Sequence, residues 1–398
     1  MAKRSPKSNS SATTTTRPAS SPREEDDPKR RCCCCFSSCA GMLLLVLGVL
    51  LIAGGVAWYL IPQDQKEELF PPTTTNEGGL RKTASPTLSP APTPAPTREF
   101  EFIQCSNNAI ANNNCCQGLD NGTCDLRVNE MVYAYMHNAM HTKQDEFKWP
   151  WNHELDLVGA LHAGYRALEL DTAICNPDGG GDVRFYHGTC AWGSIDAVTT
   201  LEKIGTFLDE HETEIIFLFL QMDDVPLSTF QTKVLQAVPS IAYRLYSHER
   251  GTPWPTLREL ITTDQRVILF YWNQPNCRLA GDCPSSAWHH YNDFGHETDW
   301  DFNNVAAVAD TAASCVPRAG ADAAPRDFFR VNAFVTLPTM TASSTLNAYS
   351  YVQERATTCA GIAGQDVSFY SVDFWHVGQV PEWVQDTNRA KAEANSNE

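Results

Sequence analysis

Three apolar segments of the sequence end in side chains that could do chemistry. MVYAYM is followed by His137 and Asn138, YRALEL carries Glu169 and is followed by Asp171, and VRFY is followed by His187. Imidazole rings gain and lose protons near neutral pH, and carboxylate and amide oxygens are the ligands of hard cations such as Ca²⁺. These residues could therefore combine proton transfer with a divalent metal ion.

His137 and His141 are four residues apart in MHNAMH. On a helix this spacing would place both rings on one face, as a zinc site requires. The apolar residues up to Met136 instead predict a strand that ends at His137, with His141 in the loop that follows. We therefore expect His137 and Asn138 to belong to the site and His141 to lie beyond its mouth.

Glu169 and Asp171 are two residues apart, so on a strand both carboxylates point to the same side. Two acids that face one interior repel each other unless a proton or a cation lies between them. A hard divalent ion would satisfy both, and Asn138 could add an amide oxygen. The alternative is an exposed pair of surface acids, which the apolar neighbours of the two residues disfavour.

Short apolar runs alternate with helical patterns from about Phe100 onward. The runs are MVYAYM, YRALEL, VRFY, EIIFLFL, RVILFYW, VNAFVTL and VSFYSVDFW, and apolar residues recur every three or four positions in 196–212 and 228–238. This alternation predicts an α/β domain with a parallel sheet, and seven or eight strands favour a closed barrel over an open sheet. Active groups of such barrels lie at the carboxyl ends of the strands. His187 alone could equally be a structural hydrogen-bonding residue.

The segment 273–327 has no clear periodicity and is longer than a connection needs, so we expect it to cover one end of the domain. Its histidines, His289, His290 and His296, are interpreted as loop residues. Cys277 and Cys283 are close enough in sequence for a small disulfide loop. They belong to a group of ten cysteines between Cys105 and Cys359, and an even number fits a disulfide framework.

The first hundred residues differ in composition from the rest. Residues 1–35 form a polar tail, predicted to be disordered and cytosolic, that ends in a cysteine cluster. Residues 36–61 are predicted to be a transmembrane signal anchor, because they contain the uncharged apolar run of 22 residues from Ala40 to Ile61. Residues 62–99 are predicted to be an extended stalk, in which Thr or Ser alternates with Pro from Pro71 to Thr97. A cleaved signal peptide is the competing interpretation of the apolar run, but its apolar core should be shorter and nearer the start. Residues 100–398 are the barrel domain.

Basic residues before the apolar run predict a single-pass type II protein whose domain faces the lumen or the outside. Asn121, in the sequon NGT, would then be open to N-glycosylation. Cys32–Cys35 would be cytosolic palmitoylation sites, or a reduced and unmodified cluster. Residues 62–398 carry 22 Lys and Arg against 43 Asp and Glu. This net negative charge gives no electrostatic support to nucleic-acid binding, so we expect no nucleic acid as a partner, and any contact with lipid must be local.

Together, MHNAM, GYRALELD and FYHG resemble the X-domain of phosphatidylinositol-specific phospholipase C. The upstream cysteine-containing segment and the distal NAFVTLPTMTASSTLNAY and FYSVDFWHVGQVPEWVQDTN resemble the extracytoplasmic, cysteine-containing branch of that superfamily. The similarity extends from about Cys115 to Asn388. It implies a distorted TIM-type (β/α) barrel that cleaves a phosphodiester in a phospholipid or glycolipid.

The resemblance also implies roles for individual residues. His137 would activate the attacking hydroxyl of the inositol, His187 would protonate the leaving oxygen, and Asp373 would orient His137 or be purely structural. Asn138, Glu169 and Asp171 would hold Ca²⁺. The sequence departs from the calcium-dependent members at Gln221, which stands where they supply a further glutamate, so the metal site would be weaker or completed by water.

The predicted function is therefore a membrane-anchored phosphoric diester hydrolase of the phospholipase C type. One alternative is a glycerophosphodiesterase or an enzyme like sphingomyelinase D. Those enzymes have His-Arg-Gly at the first strand and His-Asp at the third, where this chain has His-Asn and His-Gly. The other alternative is a non-catalytic, stalk-mounted module for binding or adhesion, which Gln221 favours and the retained histidines and acids disfavour.

Overall fold

A computed structural model describes residues 116–119, 123–175, 181–318, 320 and 324–396. The predicted tail, membrane anchor and stalk lie outside these residues, as does the sequon at Asn121. In the described part of the chain, no helix is both long enough and apolar enough to cross a bilayer.

Parallel strands form one curled sheet at the centre of the domain. Within the described residues its order is β7-β6-β5-β2-β1-β10-β9-β8. The strands are β1 (Tyr133–Met136), β2 (Tyr165–Ile174), β5 (Ile216–Met222), β6 (Val267–Trp272), β7 (His289–His290), β8 (Gly295–Glu297), β9 (Phe328–Asn332) and β10 (Phe369–Val372). The α/β class and a distorted, TIM-type curvature are confirmed. The predicted closed barrel is not confirmed, because β7 and β8, at the two ends of this order, do not pair. The sheet is a curled half-barrel.

The predicted third barrel strand is a different kind of element. VRFY forms β3 (Val183–Tyr186), which pairs antiparallel with the far end of β2 and with the short β4 (Ser194–Asp196). It can do so because β2 is ten residues long and extends beyond its pairing with β5. The disulfide Cys175–Cys190 joins the end of β2 to the turn between β3 and β4. The expectation of three successive barrel strands was therefore wrong for β3, although His187 still follows it directly.

Helices cover the outside of the sheet and connect its strands. They are α1 (Leu157–His162), α2 (Ala197–Glu210), α3 (Leu227–Lys233), α4 (Pro239–Ala242), α5 (Leu257–Thr262), α6 (Cys277–Ala280), α7 (Tyr291–Phe294), α8 (Val305–Ala309), α9 (Thr311–Ser314), α10 (Met340–Leu346), α11 (Tyr349–Ala363) and α12 (Val380–Asn395). Short 3₁₀ turns lie at Thr123–Asp125, Cys190–Trp192 and Leu235–Ala237. The helix predicted over 196–212 is confirmed as α2. The one predicted over 228–238 breaks at Val234 into α3 and a 3₁₀ turn.

The two faces of the sheet bury different side chains. Along β5, Phe217 and Phe219 point inward to an aromatic core, whereas Ile216, Leu218 and Leu220 pack outward among the helix-facing apolar residues. Along β2 the same alternation sends Leu168 and Leu170 outward and Ala167 inward. Since side chains alternate along a strand, Glu169 and Asp171 share the inner side, above the aromatic core.

The segment 273–327 is more ordered than its sequence suggested. It supplies β7 and β8 together with α6 to α9, and His289 and His296 are buried strand residues rather than loop residues. The predicted disulfide Cys277–Cys283 is present, and Cys315–Cys359 ties the segment to α11.

Disulfides join the cysteines of the described ranges in pairs: Cys116–Cys124, Cys175–Cys190, Cys277–Cys283 and Cys315–Cys359. Such bonds persist in oxidising compartments and are rare in the cytosol. They indicate that this domain is extracytoplasmic.

Candidate active site

A cavity of about 520 Å³ opens at the carboxyl ends of the strands. Its walls include the predicted residues His137, Asn138, Glu169, Asp171 and His187. Parallel strands end at the same edge of a sheet, so residues far apart in sequence converge there. The structure therefore brings the predicted residues together, and their chemical roles stay predictions.

His137 follows β1 and is held from two sides. Its Nδ1 lies 2.9 Å from Oδ1 of Asp373, which follows β10 and is almost fully buried. The His137 ring stacks on Phe334 with 3.7 Å between centroids. Burial lowers the pKa of His137, but the charge and hydrogen bond of Asp373 outweigh it and leave that pKa above its ordinary value. An ionised carboxylate only accepts hydrogen bonds, so Nδ1 donates to Asp373 and Nε2 is the basic nitrogen.

Asn138 adopts a left-handed backbone conformation, with φ of 47°, which asparagine tolerates better than most residues. Its Nδ2 lies 3.1 Å from Nε2 of His137 and 3.4 Å from Oδ1 of Asn152. Because an amide nitrogen can only donate, the Asn138 amide holds the basic nitrogen of His137.

His187 follows β3, immediately before a turn at Gly188, whose φ is +66°. Burial, together with the neighbouring rings of His141 and His137, lowers the pKa of His187 to about 3. The free ring is therefore neutral at pH 7. A negatively charged phosphodiester beside the ring would favour the protonated form.

His141 is not beyond the mouth, contrary to the expectation from the sequence. The loop that carries it folds back under the site, and its fully buried ring lies 4.5 Å from that of His187, centroid to centroid. Its Nδ1 bonds Oδ1 of Asn152 at 2.7 Å. The spacing from His137 to His141 makes no helical metal pair, as the sequence predicted.

Glu169 and Asp171 are buried, 7% and 4% exposed, so the alternative of an exposed acid pair is wrong. Glu169 Oε2 accepts from the hydroxyl of Tyr135 at 2.9 Å and lies 3.5 Å from Nη1 of Arg330. Asp171 has a buried oxygen without a hydrogen-bond partner among the described residues. Burial raises the pKa of Asp171 well above its ordinary value, and the charges of Glu169 and Asp223 raise it further. The repulsion between the two acids that the sequence predicts is thus reduced in two ways. Arg330 lies beside Glu169, and the raised pKa of Asp171 favours its protonated form.

A cation could replace that proton. The partnerless carboxylate oxygen of Asp171 points to a missing positive group, and the oxygen donors of Asn138, Glu169 and Asp171 suit a hard ion. Gln221 is engaged elsewhere, since it donates to Asp223 at 2.9 Å and accepts from the indole of Trp272 at 3.3 Å. In the described part of the chain, no three His, Cys, Asp or Glu side chains are arranged as a metal site. The described residues therefore offer a hard cation only a few oxygen ligands.

Arg330 and Glu297 were missed by sequence reasoning. The Arg330 guanidinium bonds the Tyr135 hydroxyl and Glu297, and four aromatic rings surround it at 4.9 to 5.9 Å: Tyr135, Phe219, Trp272 and Tyr291. The charge of Glu297 raises the pKa of Arg330 well above its ordinary value despite burial. The signal in the sequence is an arginine inside an apolar run, FFRVN.

Asn152 was also missed. Its side chain lies between the two histidine regions and donates to Oδ1 of Asp373 at 2.7 Å. It lies in a loop of mixed composition, PWNHELD, with no periodicity to mark it.

Comparison with known proteins places these features in a family context. The family model PI-PLC X matches residues 123–388. A PI-PLC X domain-containing protein 1 from Arthroderma benhamiae is 27% identical over 154 residues, 37% of this chain and 48% of that protein. The chain thus spans about half the length of this curated relative. Phosphatidylinositol-specific phospholipase C from Listeria monocytogenes aligns with a TM-score of 0.44 at 15% identity over 69% of this chain and 96% of its own. A variant of the Staphylococcus aureus enzyme gives 0.44 at 13% identity over 72% and 97%.

Proposed function

Because the chain belongs to the PI-PLC X family, we propose that it is a phosphoric diester hydrolase of the phosphatidylinositol-specific phospholipase C type. The observation that carries the proposal is the pairing of the buried Asp373 with His137 on the wall of a cavity that His187 also lines. One histidine is poised as a base, and a second, neutral histidine is placed to bind an anion and take up a proton. Two such groups are what transfer of a phosphoryl group between two oxygens requires.

Each step uses a group of this chain. His137 Nε2 accepts the proton of the attacking head-group hydroxyl, which takes the place of the Asn138 amide at that nitrogen. The oxygen forms a bond to phosphorus, and the bond from phosphorus to the diacylglycerol oxygen breaks. His187, protonated beside the anionic substrate, donates its proton to the leaving oxygen. The products are a cyclic inositol phosphate and diacylglycerol, so atoms and charge balance.

Asp373 keeps the His137 ring oriented, and it stabilises the imidazolium that forms when the proton is transferred. Asn138, Glu169 and Asp171 would hold Ca²⁺, which would lower the pKa of the attacking hydroxyl and offset the charge that builds on the phosphoryl oxygens. Arg330 already neutralises part of the negative charge of Glu169, so this site would bind calcium weakly. Millimolar calcium outside the cell could still fill it.

We further propose that the protein acts outside the cytosol on a phospholipid or glycolipid, held to the membrane by residues 36–61. The disulfides of the domain support the compartment. An Asn121→Gln variant tests it, since loss of a glycosidase-sensitive gel shift in that variant is expected. A wild type without any such shift, combined with digestion of the domain by protease in intact microsomes, would place the domain in the cytosol.

Initial rates on vesicles of phosphatidylinositol, with calcium or with a chelator, test the activity. We expect His137→Ala and His187→Ala each to reduce the rate by a factor on the order of 10² to 10⁴, because each removes one proton-transfer group. His211→Ala is the matched control, since His211 ends α2 away from the cavity and should keep the wild-type rate. Absence of turnover by the wild type, or full activity of both variants, would refute the enzymatic function and favour a binding module.

A further inference from the structure

A buried row of polar side chains connects the two histidines of the proposed mechanism. It runs from His137 to Asp373, then to Asn152 and His141, and ends against His187. His141 and Asn152 are almost fully inaccessible to solvent, so neither can reach the substrate. A role for these two side chains rests on the proposed function, because it concerns how His187 is held for its task.

The direction of each hydrogen bond in this row is fixed by Asp373. A carboxylate accepts hydrogen bonds and does not donate them, so the group of Asn152 that faces Asp373 at 2.7 Å is its Nδ2. The amide oxygen of Asn152 must then face His141, whose Nδ1 lies 2.7 Å away. Since an amide oxygen only accepts, His141 Nδ1 carries the hydrogen. In a neutral imidazole the other nitrogen, Nε2, is left with a lone pair.

The ring that carries this lone pair contacts the ring of His187. Nε2 of His141 and Nδ1 of His187 are both buried, and neither has a hydrogen-bond partner within the described residues. The carbonyl of Lys148 lies near His141, but not in hydrogen-bonding geometry, and a carbonyl cannot donate to a lone pair. A buried acceptor and a buried potential donor, each without a partner among the described residues, therefore belong to two rings whose centroids are 4.5 Å apart.

We propose that His141 is a positioning residue for His187. Its Nε2 accepts the Nδ1 hydrogen of His187, through a small rotation within the existing ring contact. This fixes the tautomer and the orientation of His187, so that the proton to be donated sits on the opposite nitrogen, Nε2, toward the leaving oxygen. One carboxylate, Asp373, then orients both histidines: His137 directly, and His187 through Asn152 and His141.

Burial lowers the pKa of His141, which agrees with a neutral ring that can accept a hydrogen bond. The loop after β1 turns back under the site and so brings His141 against His187. Phe147, from the same loop, packs edge-on against the His141 ring at 5.0 Å and holds its plane.

The test compares two substrates that differ in their need for a general acid. The diacylglycerol oxygen of phosphatidylinositol is a poor leaving group, whereas the p-nitrophenolate of p-nitrophenyl inositol phosphate leaves without a proton. We expect His141→Phe, which keeps a ring, to lower kcat on phosphatidylinositol by a factor on the order of 10 to 10², as part of the general-acid contribution. Its kcat on the p-nitrophenyl ester and its KM values should stay within about threefold, and His141→Gln should recover much of the loss, because a Gln amide has both a donor and an acceptor.

Equal losses on both substrates would show a merely structural role and overturn the proposal, as would no loss on either. His187→Ala on the same pair separates the two claims. If His187→Ala loses more activity on phosphatidylinositol than on the p-nitrophenyl ester and His141→Phe does not, the positioning role of His141 fails while the proposed function stands. If His187→Ala shows no such difference, or the wild type turns over neither substrate, the proposed function fails first and this inference falls with it.

A readout that needs no activity accompanies the kinetics. The ¹⁵N shifts of the His187 ring report which nitrogen carries the hydrogen. We expect the Nδ1–H tautomer in the wild type and a mixture in His141→Phe, in samples whose thermal unfolding shows that the fold is kept. The same tautomer in both proteins would refute the proposal.

Discussion

The buried cation Arg330 gives the sharpest prediction of the structure. Its side chain is 6% exposed and contacts two carboxylates, Glu297 and Glu169, of which the second lies 3.5 Å away. Arg330→Met keeps most of the apolar volume among the surrounding rings, but it leaves Glu169 without its cation and Glu297 with only the half-exposed Arg318. Removing one partner of a buried ion pair costs about 3 to 5 kcal/mol, because an uncompensated charge stays buried. We expect a loss of that size in the free energy of unfolding at pH 7, measured by urea denaturation.

The sign of the pH dependence follows from Glu297. Burial would raise the pKa of Glu297, but Arg330 outweighs it and holds that pKa below its ordinary value. In the wild type this group therefore contributes stability above its unfolded pKa of 4.5, and the contribution is lost as the pH falls through the lower folded pKa. In Arg330→Met the pKa of Glu297 rises instead, so protonation of Glu297 removes its buried charge and stabilises the variant as the pH falls. The difference between the two proteins should shrink between pH 7 and pH 4.

Arg318→Met is the matched control. Arg318 also binds Glu297, at 3.1 Å, but its side chain is 50% exposed. Exposed ion pairs contribute about 0 to 1 kcal/mol, so this variant should be close to the wild type. Adding Glu297→Gln to Arg330→Met should cost less than the sum of the two single changes, by about 1 to 3 kcal/mol. A loss in Arg330→Met no larger than in Arg318→Met, or one that does not change with pH, would refute the reasoning.

Three further changes test other parts of the structure. Asp373→Asn should lower kcat by a factor on the order of 10² to 10⁴ and move the acid limb of the pH–rate profile to lower pH, because burial then lowers the pKa of His137 without the opposing charge of Asp373; an unmoved limb would contradict this. Replacing Cys315 and Cys359 by Ala should cost about 4 kcal/mol in urea unfolding, from the 44-residue separation, and no loss would show that this bond is not formed. Burial lowers the pKa of His289 to about 3, so this group should remove about 2 kcal/mol of stability between pH 7 and pH 5. His289→Gln should abolish that part of the dependence, and the same pH slope in variant and wild type would contradict it.

The strands that are fully buried were the easiest to predict from the sequence. The runs that became β1, β5 and β6 are continuous, apolar and bounded by polar residues, and each ends where the sequence placed its end to within a residue or two. His137 and Asn138 were found for that reason. The side of the sheet that Glu169 and Asp171 share follows from the two-residue alternation alone.

Other elements leave too little local signal. β7 and β8 have two and three residues, which is too short to show a period, so the open edge of the sheet could not be foreseen. The alternation of VRFY is the same in a parallel and an antiparallel strand, so it could not reveal that β3 leaves the barrel. β9 lies earlier than the predicted VNAFVTL, because the apolar residues continue past its end into a loop.

The missed site residues share a physical cause. Arg330 contacts groups far away in sequence, and nothing near it in the chain shows that two acids and four rings will surround its charge. His141 was assigned to a loop correctly, but a loop's sequence does not say whether it folds outward or back under the site. Its burial depends on Asn152 and Phe147, which only the tertiary structure brings next to it.

The central claim is that this protein cleaves a phosphodiester by transfer to a hydroxyl of the head group, with two histidines moving the protons. The most direct measurement is the ³¹P spectrum of phosphatidylinositol vesicles incubated with the protein and calcium. We predict that the signal of the lipid phosphodiester decays while that of a cyclic inositol phosphate grows, and that neither changes with His137→Ala. An unchanged lipid signal with the wild type, or the appearance of a lipid phosphomonoester from cleavage on the other side of phosphorus, would contradict the account.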